Sequence, residues 1–142
     1  MKFVLHDGGR AAAGYKGSTG DCVTRSIAMV TGRPYQQIYN ALNELGRCER
    51  ISKRKKKRSN SRTRVYRKSY QRCLESLGWK WTPTMAIGSG CTVHLREEEL
   101  PKGRLLVKVS GHLTAVIDGV LHDTHDCSRR GTRCVYGYFS KP

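Results

Sequence analysis

Three residues carry the chemistry this chain can do: Cys22, His112 and Asp123. Cys22 stands in Gly20-Asp21-Cys22-Val23-Thr24-Arg25-Ser26-Ile27-Ala28, where a Gly-rich run stops and an apolar helical pattern starts. Asp21 is a favoured N-cap, which puts Cys22 at the first helical position. A thiol there meets the positive end of the helix dipole, and its thiolate is favoured. A cysteine at a helix start is also a common structural residue. The second stretch, Gly111-His112-Leu-Thr-Ala-Val-Ile-Asp-Gly-Val-Leu-His-Asp123, changes the reading. A thiol, an imidazole to take its proton and a carboxylate to orient the imidazole make a nucleophilic set.

The register of that second stretch follows from its turn. Asp118-Gly119 between two alternating apolar runs predicts a two-residue hairpin. Ile117 then pairs with Val120, Val116 with Leu121, Ala115 with His122, Thr114 with Asp123 and His112 with His125. Side chains alternate in face along a strand. His112, Thr114, Val116, Leu121, Asp123 and His125 therefore share one face, and Asp123 is the diagonal neighbour of His112. A surface His/Asp hydrogen bond would use the same geometry. Asp126 and His122 fall on the other face.

The elements that position these residues read as α+β, with helices first and an antiparallel sheet after. Residues 1–7 suit a short edge strand. Residues 21–31 read as a helix with Val23, Ile27 and Val30 on one face, ended by Gly32. Residues 34–45 read as a second helix with Tyr35, Ile38, Tyr39, Leu42 and Leu45 on a core stripe, closed by Gly46. A third helical stripe runs through Tyr66, Tyr70, Cys73, Leu74 and Leu77 to a stop at Gly78. From Trp79 the pattern changes to strands: 79–82, 104–110, 112–118, 120–125 and 132–139, with a helical turn at Glu97-Glu98-Glu99.

The 142 residues suffice for one domain with a real core. No run of about 18 apolar residues is present, and the N-terminal apolar stretch is too short for a signal peptide. An intracellular, cytoplasmic setting without a membrane is expected, or a virion if the chain is phage-encoded. Six irregularly spaced cysteines are then expected to be reduced thiols. Cys91-x-x-His94 and His122-x-x-His125-x-Cys127 have spacings compatible with zinc, but no Cys-x-x-Cys knuckle accompanies them, and no metal or other cofactor is expected.

Net charge is +16, concentrated in residues 47–72, which hold thirteen Lys/Arg and the single acid Glu49. Lys53, Arg54, Lys55, Lys56, Lys57, Arg58, Arg62 and Arg64 form a run without apolar periodicity, expected to be a mobile loop inserted at about 47–64. Such a segment can be a solvated loop, a localisation signal or a nonspecific RNA- or DNA-binding surface; six consecutive cations favour phosphate contact. No motif for reading base sequence accompanies it.

Gly20-Asp21-Cys22 opening a helix, His112 starting a strand and Asp123 on the next strand resemble the papain-like cysteine peptidase superfamily. The likeness is to its small bacterial and phage forms, in the style of bacteriocin-processing peptidases and ovarian-tumour-type deubiquitinases. It covers most of the chain outside 47–64. It implies a helical half packed on an antiparallel sheet with the site in the cleft between them. Cys22 would be the nucleophile, His112 the general base and then acid, and Asp123 the orienting residue. The substrate would be a protein or peptide, cut at a peptide or isopeptide bond. Many such enzymes carry a Gln before the cysteine as an oxyanion donor; residues 14–20 hold no Gln or Asn. The Cys22 backbone N–H, with Ser18 or Thr19, would replace it. The departure leaves two readings open: a thiol hydrolase, or a nucleic-acid-binding or nucleoprotein-associated accessory protein on an inactive papain-like scaffold.

Overall fold

A computed structural model describes residues 1–16 and 20–142. The elements run β1 (Lys2–Leu5), α1 (Cys22–Thr31), α2 (Tyr35–Arg47), α3 (Arg67–Ser76), β2 (Lys80–Pro83), a 3-10 turn (Glu97–Glu99), β3 (Arg104–Val109), β4 (His112–Ile117), β5 (Val120–Asp123) and β6 (Val135–Ser140). The fold is α+β, with the strands in one sheet of order β1-β5-β4-β3-β6-β2. The sheet is mixed, which corrects the expectation of an antiparallel one. β1 lies parallel to β5, with Phe3 opposite Leu121 and Leu5 opposite Asp123. A strand arriving from the far end of the chain has no hairpin to dictate its direction, and β1 fills the edge that β5 leaves.

Alternation along β3 and β4 separates two apolar layers. Leu106, Leu113, Ala115 and Phe139 pack under the helices with Ile27, Val30, Ile38, Leu42 and Leu74. Leu105, Val107, Val109, Val116 and Leu121 face the other way, against Leu95, Leu100, Cys127 and Val135. The helical stripes read from sequence supply the first layer: Ile27, Ile38, Leu42 and Leu74 are fully buried, and Cys73 is packing. The Asp118-Gly119 turn has φ of 50° and 79°, the primed geometry that matches strand twist. Its register is as derived, with Ile117 opposite Val120, Val116 opposite Leu121 and Ala115 opposite His122. No helix among the described residues is long and apolar enough to cross a membrane.

Gly46 does not end α2. The helix continues to Arg47, and Gly46 is buried because the Ser59 carbonyl occupies the place its Cβ would take. That contact belongs to a second correction. Residues 59–65 are not a free loop, although their sequence has no apolar period, because the ties are polar. The Ser61 N–H donates to Asn43 Oδ1 at 2.8 Å, and Thr24 Oγ1 donates to the Ser61 carbonyl at 2.7 Å. Glu49, the one acid of the segment, accepts from the Ser59 N–H at 2.6 Å, from the hydroxyls of Ser59 and Ser69, and from Lys55 Nζ at 3.0 Å.

Burial alone would raise the Glu49 carboxyl, but the Ser59 and Ser69 hydroxyls, the Ser59 N–H and Lys55 outweigh it and hold it at about 2. That is below the ordinary value of about 4.3 in an unfolded chain. The stabilisation is therefore full above about pH 5 and is lost as pH falls through 2. Urea midpoints of wild type and Glu49→Gln, measured from pH 7 to pH 2, should differ most at neutral pH and converge in acid. A gap that does not change with pH would contradict this anchoring.

The six cysteines are not all thiols: Cys91 and Cys134 form a disulfide with a Cα separation of 5.8 Å. Residues 93–95 pair with 133–135 through the Leu95 N–H to the Arg133 carbonyl and the Val135 N–H to the Val93 carbonyl, both at 2.8 Å. This long-range pairing brings the two sulfurs together and has no local signature. Cys22, Cys48, Cys73 and Cys127 are free.

Candidate active site

Cys22 is the first residue of α1, where the apolar face of Val23, Ile27 and Val30 seats the helix on the sheet. His112 opens β4 and Asp123 closes β5, so the hairpin carries both to the same end, and α1 begins there. His112 Nε2 lies 2.6 Å from Asp123 Oδ2. Thr114 Oγ1 donates to the same oxygen at 2.7 Å. The His125 ring centroid is 5.2 Å from that of His112. These are the same-face and diagonal neighbours the turn predicts. With Nε2 committed to Asp123, Nδ1 is the ring nitrogen left for the thiol, and Cys22 and His112 line the same cleft.

Electrostatics favour charge separation between them. Burial would raise the Cys22 thiol, but the hydrogen bond and charge of His112, the Leu113 N–H and the Arg25 charge bring it below its ordinary value. Burial would lower His112, but hydrogen bonds to Asp123, Cys127 and Cys22 raise it to about 11. Asp123 is held at about 2: burial opposes this, and the His112 and Thr114 hydrogen bonds and the His112 charge prevail. All three directions favour the charged forms, imidazolium, carboxylate and thiolate.

Asp21 does something other than cap. Its side chain makes no capping hydrogen bond to α1, and the residue is 1% exposed. Its carboxylate pairs with the Arg25 guanidinium, lies 3.5 Å from Arg10 Nε and accepts from the Tyr35 hydroxyl at 2.7 Å. Arg25 also reaches Asp123, with Nη2 3.7 Å from Oδ1. A buried charge chain thus runs from Asp21 through Arg25 and Asp123 to His112, tying the helix start to the hairpin. Sequence reasoning missed Arg25, Arg10 and Tyr35 here. The one sequence signal was an arginine one turn after Asp21 on a helix otherwise short of charge.

The site opens into a cleft of about 950 Å3 lined on one side by Gly20, Cys22 and Val23 and on the other by Gly111, His112 and Leu113, with Thr63 to Arg67 as a further wall. Gly20 is confined by that wall: a Cβ there would sit 2.6 Å from the Thr63 carbonyl oxygen. Ser18 and Thr19, the expected oxyanion donors, lie outside the described residues. The Cys22 N–H stands at the start of a helix whose first turn has no side-chain cap.

The basic candidates divide. Lys53, Arg54, Lys56 and Lys57 are exposed. Lys55 and Arg58 fold back on Glu49, through its carboxylate and its backbone carbonyl. Arg62 donates to the Lys16 carbonyl at 2.8 Å, and Arg64 lines the cleft. Neither zinc spacing is assembled among the described residues: Cys91 is in the disulfide, His94 Nδ1 faces Glu99 Oε1 at 3.2 Å, and His122 stacks edge-on to His6. The closest metal-type donors are instead His112, Asp123 and Cys127, within 4.8 Å of one another. Thr114 and Arg25 already engage the Asp123 oxygens there.

Comparison with protein-family models, curated proteins and solved structures finds no match to this chain. The site's own geometry therefore carries the functional argument.

Proposed function

We propose that this protein is a papain-like thiol hydrolase acting on a peptide or isopeptide bond, with Cys22 as nucleophile, His112 as general base and acid, and Asp123 as orienting residue. The observation that carries the reading is His112 held at 2.6 Å by a buried Asp123 in the cleft that Cys22 also lines. The Cys22 proton passes to His112, and the thiolate attacks the carbonyl carbon, forming a C–S bond and an oxyanion. The Cys22 N–H is one donor to that oxyanion. The intermediate collapses, the C–N bond breaks, and the imidazolium gives its proton to the leaving amine. The acyl group is then a thioester on Cys22. Water adds with its proton going to His112, the C–S bond breaks, and the sulfur leaves as a thiolate with the imidazolium beside it. Asp123 keeps Nδ1 aimed at sulfur and steadies the imidazolium in both halves.

The test is acyl-enzyme trapping. An activated acyl ester, quenched in acid, should add one acyl group to Cys22 by peptide mapping. The adduct should be absent in Cys22→Ala and reduced about 100-fold or more in rate in His112→Ala. Acylation spread over the four free thiols, or undiminished without His112, would reject the reading. The exposed Lys53, Arg54, Lys56 and Lys57 support a second reading, nonspecific nucleic-acid contact. It is compatible with an active site, since the exposed run and the nucleophile are separate features.

A further inference from the structure

Resting on the thiol-hydrolase reading, we propose that the acyl-bearing substrate is an acidic peptide, whose carboxylates are held by Arg64, Arg67 and Lys108 beside Cys22. Three observations lead there. The first is the wall of the cleft. The end of the basic loop delivers Arg64, and the start of α3 delivers Arg67, to the nucleophile's own cleft, and no acidic side chain lines it among the described residues.

The second is how these cations are held. The Arg64 guanidinium sits 5.0 Å from the Tyr66 ring centroid and Arg67 lies 4.2 Å over Trp81. Stacking fixes a guanidinium plane and leaves its N–H edge for a carboxylate. Neither makes an ion pair with a described residue. The Arg25 charge, in contrast, is already used by Asp21 and Asp123.

The third is Lys108. It occupies β3, a central strand between β4 and β6, among Leu105, Leu106, Val107 and Val109. Its side chain is half-buried and lines the cleft with Cys22, and no carboxylate pairs with it among the described residues. Burial, with the Arg67 and Arg133 charges, holds its ammonium below the ordinary value, and the Cys22 and Tyr136 charges act in the opposite sense. A substrate carboxylate entering the cleft meets this ammonium. A nucleic acid would suit the same cations, but it presents no acyl carbon to a thiolate, so the anion and the acyl group belong together on a peptide.

The experiment compares iodoacetate with iodoacetamide on the full chain, with alkylation mapped to Cys22. The two reagents differ in one charge. Relative to N-acetylcysteine amide, the iodoacetate-to-iodoacetamide rate ratio at Cys22 should be about tenfold higher at low ionic strength and should fall with salt. It should collapse in Arg64→Gln/Lys108→Gln and persist in Arg64→Lys/Lys108→Arg, which keep the charge. A hexaglutamate peptide should protect Cys22 better than oligouridylate of equal charge. Rapid iodoacetamide alkylation at pH 6 with no iodoacetate preference would overturn the acidic specificity and leave the activated thiol standing. Slow alkylation by both reagents would overturn the activated thiol itself, and the proposal with it. Protection by oligouridylate alone would replace the peptide with RNA.

Discussion

Asp21→Asn should destabilise the fold by about 3–5 kcal/mol, read as a lowered urea midpoint by circular dichroism. The size of the loss separates two roles for Asp21. As a helix cap, Asn is the equal of Asp, and the substitution would cost a few tenths of a kcal/mol. As a buried anion, Asp21 neutralises Arg25, faces Arg10 and accepts from Tyr35, and its side chain has no exposure to water. Asparagine has nearly the same shape and none of the charge. The Arg25 guanidinium, 7% exposed at its side chain, would keep only Asp123 at 3.7 Å. The loss is large because a buried cation without its partner cannot be rehydrated in place. A change below about 1 kcal/mol would restore the capping role and remove the charge chain that links α1 to the hairpin.

What was legible in the sequence was local. Asp118-Gly119 fixes a register within a few residues on either side, and that register is enough to place Asp123 against His112. Cys22 at a helix start followed from a glycine run meeting an apolar period. The helical stripes around Ile27, Leu42 and Leu74 followed for the same reason. What was illegible depends on partners far along the chain. Asp21 looks like a cap because caps are local; its actual partners include Arg10 and Tyr35. Residues 59–65 look unstructured because apolar periodicity cannot register ties to Asn43, Tyr39 and Glu49. The parallel direction of β1 and the Cys91–Cys134 bond likewise come from pairings that no neighbouring residue announces. The largest consequence is for the end of the basic segment, where Thr63 to Arg67 form part of the cleft wall.

The second large effect is on the thiol. His112→Ala should slow alkylation of Cys22 at pH 6 by about 100-fold, a difference of about 2.7 kcal/mol. In wild type the His112 charge brings the thiol below its ordinary value, so the thiolate is expected to persist below the pH at which a free cysteine protonates. Without the imidazole, burial in the cleft acts in the opposite direction and pushes the thiol above an ordinary one. Arg25 and the Leu113 N–H remain, but they are the smaller of the lowering influences. Asp123→Asn should give an intermediate result, because Asn can still hold the ring but cannot sustain its charge.

The measurement that tests the central claim most directly is the pH dependence of iodoacetamide alkylation from pH 4 to 9, mapped cysteine by cysteine, in wild type and His112→Ala. The account predicts that Cys22 reacts faster than Cys48, Cys73 and Cys127 at pH 6, with its acid limb well below that of a free thiol, and that removing His112 abolishes the advantage. A Cys22 that titrates like an ordinary thiol near pH 8.5, equally with and without His112, would contradict it.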